Sequence, residues 1–189
     1  MCGSLKVTDD PWVIDLMEEL GISLNINPNP DLRTTQEVAT VAAPEGELCQ
    51  LDTTWGIKPN WANKLLINAQ AETVATKPTF RQAFAERRCL VPCSGFYEWR
   101  DEGGPRKRKY LFTGAQGQGL LMAAIWYPAE TPQIVTLTRV APSEFAEYHD
   151  RFPVFVPVDG ARDWVLADSD TAARWMTAAG GQDIVVAPA

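Results

Sequence analysis

Strand-like and helix-like runs follow one another in this chain without regular alternation, and that constrains the fold more than any other feature. A repeating strand–helix order would demand a parallel sheet covered by crossover helices, whereas irregular mixing points to an α+β domain. Apolar and turn residues mark the elements. Asp10 and Pro11 suit a helix start, Gly21 suits its end, and Pro11–Leu20 between them carries apolar residues partly on one face. Asn25–Leu32 reads as a loop from its asparagines and prolines. Strand signals follow at Glu37–Ala43 and Glu47–Trp55, then a short helix at Pro78–Arg87. Cys89–Arg100 and Lys109–Thr113 read as two strands joined across Asp101-Glu102-Gly103-Gly104-Pro105. Further strands are expected at Gly119–Tyr127, Gln133–Thr138 and Arg151–Pro157. Helices are expected at Pro142–Tyr148, Gly160–Leu166 and Thr171–Ala178, and Asp183–Val186 would close a sheet.

The 189 residues are enough for one core, so a single domain over residues 1–189 is expected. No run reaches the roughly eighteen apolar residues of a membrane-spanning helix. The N-terminus lacks the basic start and apolar stretch of a secretion signal. A cytoplasmic protein, acting as a monomer without membrane contact, is the expectation. Its four cysteines, Cys2, Cys49, Cys89 and Cys93, would then be thiols. With only one histidine, His149, and no second closely spaced cysteine pair, a zinc site is disfavoured, and no metal or cofactor is expected. The net charge of −7 argues against broad binding to duplex DNA. Local basic runs remain, Arg87-Arg88 and Arg106-Lys107-Arg108-Lys109; the second also reads as a solvated hairpin tip.

Cys2 is the residue with the most distinctive chemistry. Its position after the initiator permits removal of Met1, which would expose an amine and a thiol on adjacent carbons. The amine can condense with an aldehyde, and the sulfur can then close a thiazolidine ring. An α-amine has a pKa of roughly 7.7 against roughly 10.4 for lysine. At pH 7 about 17% of the first and about 0.04% of the second is uncharged, a roughly 400-fold difference in reactive amine. The bland alternative is an incidental residue at a frayed end. Three further polar residues lie in apolar settings: Asn68, Glu98 and His149. A carboxylate between Tyr97 and Trp99 would have a raised pKa if buried, useful to a general acid, unless strand alternation points it to solvent. His149 titrates in the range that suits proton transfer near neutrality, although a lone histidine is often structural.

Seven fragments, in order, resemble the SRAP (SOS response-associated peptidase) family. They are Met1-Cys2-Gly3; Trp55-Gly56-Ile57-Lys58-Pro59 with Trp61; Ile67-Asn68-Ala69-Gln70-Ala71-Glu72-Thr73; Arg88-Cys89-Leu90-Val91-Pro92; Gly95-Phe96-Tyr97-Glu98-Trp99; Met122-Ala123-Ala124-Ile125-Trp126; and His149-Asp150-Arg151-Phe152-Pro153-Val154. The resemblance implies a compact domain with a curved, barrel-like, mostly antiparallel sheet and peripheral helices. It implies repair of DNA damage: a covalent cross-link to abasic sites in single-stranded DNA, nucleoid-associated when engaged, with self-processing or peptidase activity. Cys2 would form the thiazolidine, Asn68 would orient it, Glu98 would shuttle protons, and His149 would assist as acid or base.

Two family positions that usually carry arginine are occupied by Ser4 and Gln70. Arg87, Arg88, Arg106 and Arg151 are candidate substitutes for phosphate contact, and Trp55, Trp61 and Trp99 are candidates for stacking on bases, with core packing as the alternative. Two other functions remain open at this point: a cysteine-dependent amide hydrolase with no DNA role, and a non-catalytic single-strand binder.

Overall fold

The computed structural model describes residues 3–8, 10–177 and 183–189. Cys2 lies outside them. Among the described residues, twelve strands and four α-helices follow in the order β1 (Ser4–Val7), α1 (Trp12–Leu20), β2 (Asn29–Arg33), β3 (Glu37–Ala42), β4 (Cys49–Trp55), β5 (Asn68–Gln70), α2 (Arg81–Glu86), β6 (Arg88–Cys93), β7 (Gly95–Arg100), β8 (Arg108–Gly114), β9 (Leu120–Tyr127), β10 (Gln133–Val140), β11 (Arg151–Pro153), α3 (Ala161–Leu166), α4 (Ser169–Thr177) and β12 (Ile184–Pro188). The expected α+β class is the one observed.

One sheet is antiparallel throughout, in the order β12-β8-β7-β1-β2. The other runs β11-β10-β4-β3-β6-β9, and β9 pairs again with β10. That last pairing closes five strands into a ring. It is a curved, closed sheet but not a regular barrel, because β10 meets β4 and β5 through short parallel ladders.

The continuous apolar runs of β6 and β9 have a direct cause. Leu90, Leu121, Ala123 and Ile125 face a core under the helices, with Leu16, Phe84, Val135 and Trp164. Their neighbours Cys89, Val91, Leu120, Met122 and Ala124 face a second core, with Leu5, Trp55, Phe96 and Phe112. Both strands bury both faces, so they show no polar alternation. In the second core Phe96 stacks on Phe112 at 4.7 Å between centroids and meets Phe152 edge-on at 5.4 Å. Each such ring contributes about 1.5–3 kcal/mol by burial, and together they tie β7 and β8 to β11.

Several expectations change. Cys89–Arg100 is two strands in different sheets. The break is at Ser94, whose N–H donates to the Lys6 carbonyl at 2.9 Å. A Cβ at the next residue, Gly95, would lie 2.4 Å from the Phe112 carbonyl oxygen, so only glycine allows β7 to start against β8. Pro142–Tyr148 is a series of turns and not a helix, bonded Phe145 N–H to Pro142 and Tyr148 N–H to Phe145. Phe145 stacks on Phe152, and Tyr148 meets Phe112 edge-on; anchoring these two rings overrides local helix preference. The loop at Asn25–Leu32 ends in β2, an edge strand that tolerates Pro30. Its partner β1 has too little pattern to be recognised in the sequence.

Candidate active site

Glu98 is the central residue of the site. Strand alternation places it on the same face of β7 as Phe96, toward the inter-sheet core, and it is only 4% exposed. Burial penalises its charge and pushes its pKa up to about 7. Asp150 pushes it in the same direction, and Lys107 opposes it. The solvent-facing alternative for Glu98 is therefore excluded. Its cross-strand neighbour is Tyr110, whose ring meets Tyr148 edge-on at 4.9 Å. Tyr148 directly precedes His149, so the 142–150 turns pack against the part of the hairpin that carries Glu98. An Arg100–Glu147 ion pair of 2.9 Å fastens the same two segments.

His149 shares the charged surroundings of Glu98. Its pKa is lowered, chiefly by burial and further by Lys107, while Asp150 raises it. Nδ1 accepts the Arg151 N–H at 2.9 Å and lies 2.7 Å from an Asp150 carboxylate oxygen. One ring nitrogen cannot accept from the first and donate to the second through the same in-plane site. The lowered pKa favours the neutral ring with its proton on Nε2; protonation would turn Nδ1 toward Asp150.

Asn68 lies on the other sheet. β5 pairs with β10, and the Asn68 Oδ1 accepts a hydrogen bond of 2.5 Å from the Thr136 hydroxyl. That contact fixes the amide so that its NH2 end is the donor. On the neighbouring strand β11, Arg151 lies opposite Val140 of β10. Its guanidinium binds both carboxylate oxygens of Glu72, at 3.0 and 2.7 Å, and the Thr138 carbonyl at 2.6 Å. Arg151 pulls the Glu72 pKa down and joins the turn after β5 to β11.

The candidate DNA contacts divide sharply. Trp55 is fully buried, and its indole N–H donates to the Ile67 carbonyl at 3.1 Å. It is a core residue and cannot stack on a base. Arg88 is also buried. It donates to the carbonyls of Phe84 and Ala85 at the end of α2, and to those of Trp164 and Ala167 at the end of α3. It caps two helix C-termini and cannot reach a phosphate. Replacing it by alanine would leave those carbonyls unpaired in the core. Arg88→Ala is expected to lower stability by about 3 kcal/mol or more in urea unfolding.

Trp61, by contrast, is 67% exposed and rims an open depression with Lys58, Pro59 and Tyr127. Arg87 is partly exposed and paired with Glu86 at 2.8 Å, and Arg106 is exposed in the β7–β8 connection. Trp99 is half-buried beside Arg33 and Lys109.

Burial makes the described cysteines poor nucleophiles. Cys89 and Cys93 are fully buried, and burial raises both thiol pKa values, that of Cys93 to about 12. Cys49 is also raised. Among the described residues, no group of three or more His, Cys, Asp or Glu side chains gathers as a metal site.

The sequence matches the SOS response associated peptidase (SRAP) family over residues 1–188. The chain belongs to the SRAP family. The abasic site processing protein YedK of Escherichia coli (strain K12) is 29% identical over 177 residues, covering 87% of this chain and 79% of that protein. YoqW of Bacillus subtilis (strain 168), also an abasic site processing protein, is 25% identical over 181 residues, with 87% and 80% covered. A phage-related protein of Bordetella bronchiseptica has a crystal structure that superposes with a TM-score of 0.82 at 25% identity, over 100% of this chain and 94% of that one. A second protein from that organism gives 0.81 at 22% identity, over 100% and 99%. No helix among the described residues of this SRAP chain is long and apolar enough to cross a membrane.

Sequence reasoning missed three partners of the candidate site. Thr136 hydrogen-bonds Asn68, while Asp150 and Lys107 act in opposite directions on the burial-dominated shifts of Glu98 and His149. Asp150 was legible as the neighbour of His149. Thr136 and Lys107 had no local signal, because their roles come from strand pairing and hairpin geometry.

Proposed function

We propose that this protein processes abasic sites in single-stranded DNA by linking Cys2 covalently to the ring-opened sugar. The observation that carries the reading is Glu98: a carboxyl with its pKa raised to about 7, next to the strand that follows Cys2. In that ladder Leu5 pairs with Phe96, two residues before Glu98. Ser4, which opens β1, is two residues from Cys2 in the sequence. The relatives named as abasic site processing proteins support the same substrate.

Removal of Met1 exposes the Cys2 amine. Glu98, protonated in a fraction near neutrality, donates a proton to the ring oxygen as the C1–O bond breaks, and neutral His149 takes the proton of the anomeric hydroxyl, which leaves the open aldehyde. The uncharged amine adds to the carbonyl carbon, and the resulting carbinolamine loses water to give an imine. The Cys2 sulfur then attacks the imine carbon while its proton passes to nitrogen, which closes the thiazolidine. One water leaves overall, and nothing is oxidised or reduced. Neutral His149 relays protons. Asn68, held by Thr136, offers its NH2 end to the sugar or to the Cys2 backbone. Trp61, Trp99, Arg87 and Arg106 are the remaining candidates for contact with the strand, and Arg151 serves mainly as a clamp.

The test is intact-mass analysis of the protein mixed with an oligonucleotide bearing one abasic site. The expected product has the mass of protein without Met1 plus oligonucleotide, less one water. A preparation with a verified N-terminal Cys2 that forms no such product refutes the reading. Turnover of an amide substrate without any abasic aldehyde would favour a hydrolase instead.

A further inference from the structure

The outer face of the five-stranded sheet carries a group of charges that the proposed chemistry does not use. Strand alternation puts Ser4, Asp31, Arg33, Tyr97, Trp99 and Lys109 on this face, opposite Leu5, Leu32, Phe96 and Glu98. Ser4 is the direct cross-strand partner of Arg33, and Trp99 is the partner of Lys109. Asp31 organises the group. It accepts from the Ser4 hydroxyl at 2.6 Å, from Arg33 at 2.6 Å and from Lys109 at 3.1 Å. The Lys109 ammonium lies 3.8 Å from the Tyr97 ring centroid and 5.5 Å from that of Trp99; the Arg33 guanidinium lies 5.6 Å from Trp99. Tyr97 is anchored by its hydroxyl to the Pro30 carbonyl at 2.8 Å.

Two cations thus share one carboxylate. The face keeps a positive surplus in a chain of net charge −7, and the Arg33 side chain is 47% exposed. An ordinary surface ion pair would need one cation and would contribute little. Here both cations are pre-positioned by a carboxylate and an aromatic ring, which reduces the entropy lost when they bind an anion. One hairpin carries Trp99, Lys109 and Glu98. Trp99 follows Glu98 on β7 and Lys109 precedes Tyr110 on β8, so Trp99 and Lys109 lie on the other face of that hairpin from Glu98, and Ser4 is two residues from Cys2 in the sequence.

We propose that Arg33 and Lys109, set on either strand side of Trp99 by Asp31, form a phosphate-binding pair for a DNA strand that passes over the outer face of the β7–β8 hairpin on its way to the Cys2–Glu98 site. This rests on the reading above for its substrate. On this face Ser4 brings no charge of its own, and its cross-strand partner supplies one.

The experiment uses the full chain and a labelled single-stranded oligonucleotide without an abasic site, so binding is separated from cross-linking. Anisotropy gives the dependence of log affinity on log salt for the unaltered protein, Arg33→Gln, Lys109→Gln, the double variant and Arg174→Gln. The last removes the same charge from α4. Each neutralised phosphate contact contributes a slope of about 0.7 on single strands. The slope is expected to fall by about 0.7 in each single variant and about 1.4 in the double, to stay unchanged in Arg174→Gln, and to be restored by Arg33→Lys and Lys109→Arg. Competition by inorganic phosphate at matched ionic strength separates a site for the isolated anion from one that needs a strand; the strand should bind far more tightly. An unchanged slope in Lys109→Gln and in a folded double variant overturns the proposal. So does equal affinity for inorganic phosphate and the oligonucleotide. If the slope changes but no cross-link forms with abasic DNA, the phosphate pair stands and the cross-linking chemistry falls.

Discussion

Cys2→Ala is expected to abolish the stable DNA adduct while leaving a transient imine that borohydride can trap. The variant keeps an α-amine once Met1 is removed, because alanine is also small enough for that processing. Its pKa stays in the range of roughly 7.7, so condensation with the opened sugar still proceeds. What is missing is the sulfur that captures the imine carbon, and an imine in water reverts by hydrolysis. Intact-mass spectra should therefore show no adduct for Cys2→Ala unless a reductant is present. This outcome separates the aminothiol mechanism from its competitors. A plain amine nucleophile predicts equal adducts in both proteins, and a non-covalent binder predicts none in either. Among the remaining cysteines, Cys89 and Cys93 cannot take over. Both lie in the apolar inter-sheet core with thiol pKa values pushed far above neutrality, so neither supplies a thiolate at working pH. Retention of a stable adduct in Cys2→Ala would overturn the chemistry.

Much of this fold was legible because its signals are local. The helix at 12–20 has a proline before it and Gly21, in a left-handed conformation, after it. The strands at 37–42 and 133–140 have branched residues and clear ends. The parts that were not legible depend on partners distant in sequence. β1 is four residues long and is specified by β2 and β7 on either side of it. The turns at 142–148 have helical composition, but Phe145 and Tyr148 are drawn into the aromatic core. The same division holds in the site. Glu98 stood out because a carboxylate between two aromatic residues requires an explanation wherever it points. Arg88 misled because a basic pair reads as surface charge, while its role as a cap for α2 and α3 appears only when those two helix ends meet. Trp55 misled in the same manner, since an indole that bonds a buried carbonyl has the sequence of one that stacks on a base. Arg33 and Lys109 lie 76 residues apart in the numbering and carry no shared motif; only the strand order β8-β7-β1-β2 brings them to one ring.

Glu98→Gln is expected to slow cross-link formation by about 10²–10⁴-fold, the usual contribution of a positioned acid–base group, while leaving binding of intact single-stranded DNA unchanged. Glutamine keeps the size and hydrogen-bonding capacity of the side chain but cannot transfer a proton, so a purely structural role for Glu98 predicts little loss. The pH profile discriminates further. With the carboxyl titrating at about 7, the rate in the unaltered protein should bend near that pH as well as at the amine pKa of roughly 7.7. The variant should keep only the bend due to the amine. Stability gives an independent check with a defined sign. The folded-state pKa of Glu98 is raised above its unfolded value near 4.5. Below that value both states are protonated and the carboxyl imposes no penalty. As pH rises from about 4.5 to about 7, the unfolded chain ionises first and the folded state loses relative stability, until both are charged. Glu98→Gln removes this penalty. Its stability relative to the unaltered protein should therefore rise between pH 5 and pH 8, by up to about 3 kcal/mol, in paired urea titrations. A variant that is slower in cross-linking yet more stable at pH 8 would mark Glu98 as a group buried at the expense of stability for the sake of proton transfer. A flat stability difference across that range would mean that Glu98 is ionised in the fold throughout, and the proton-transfer role assigned to it would not hold.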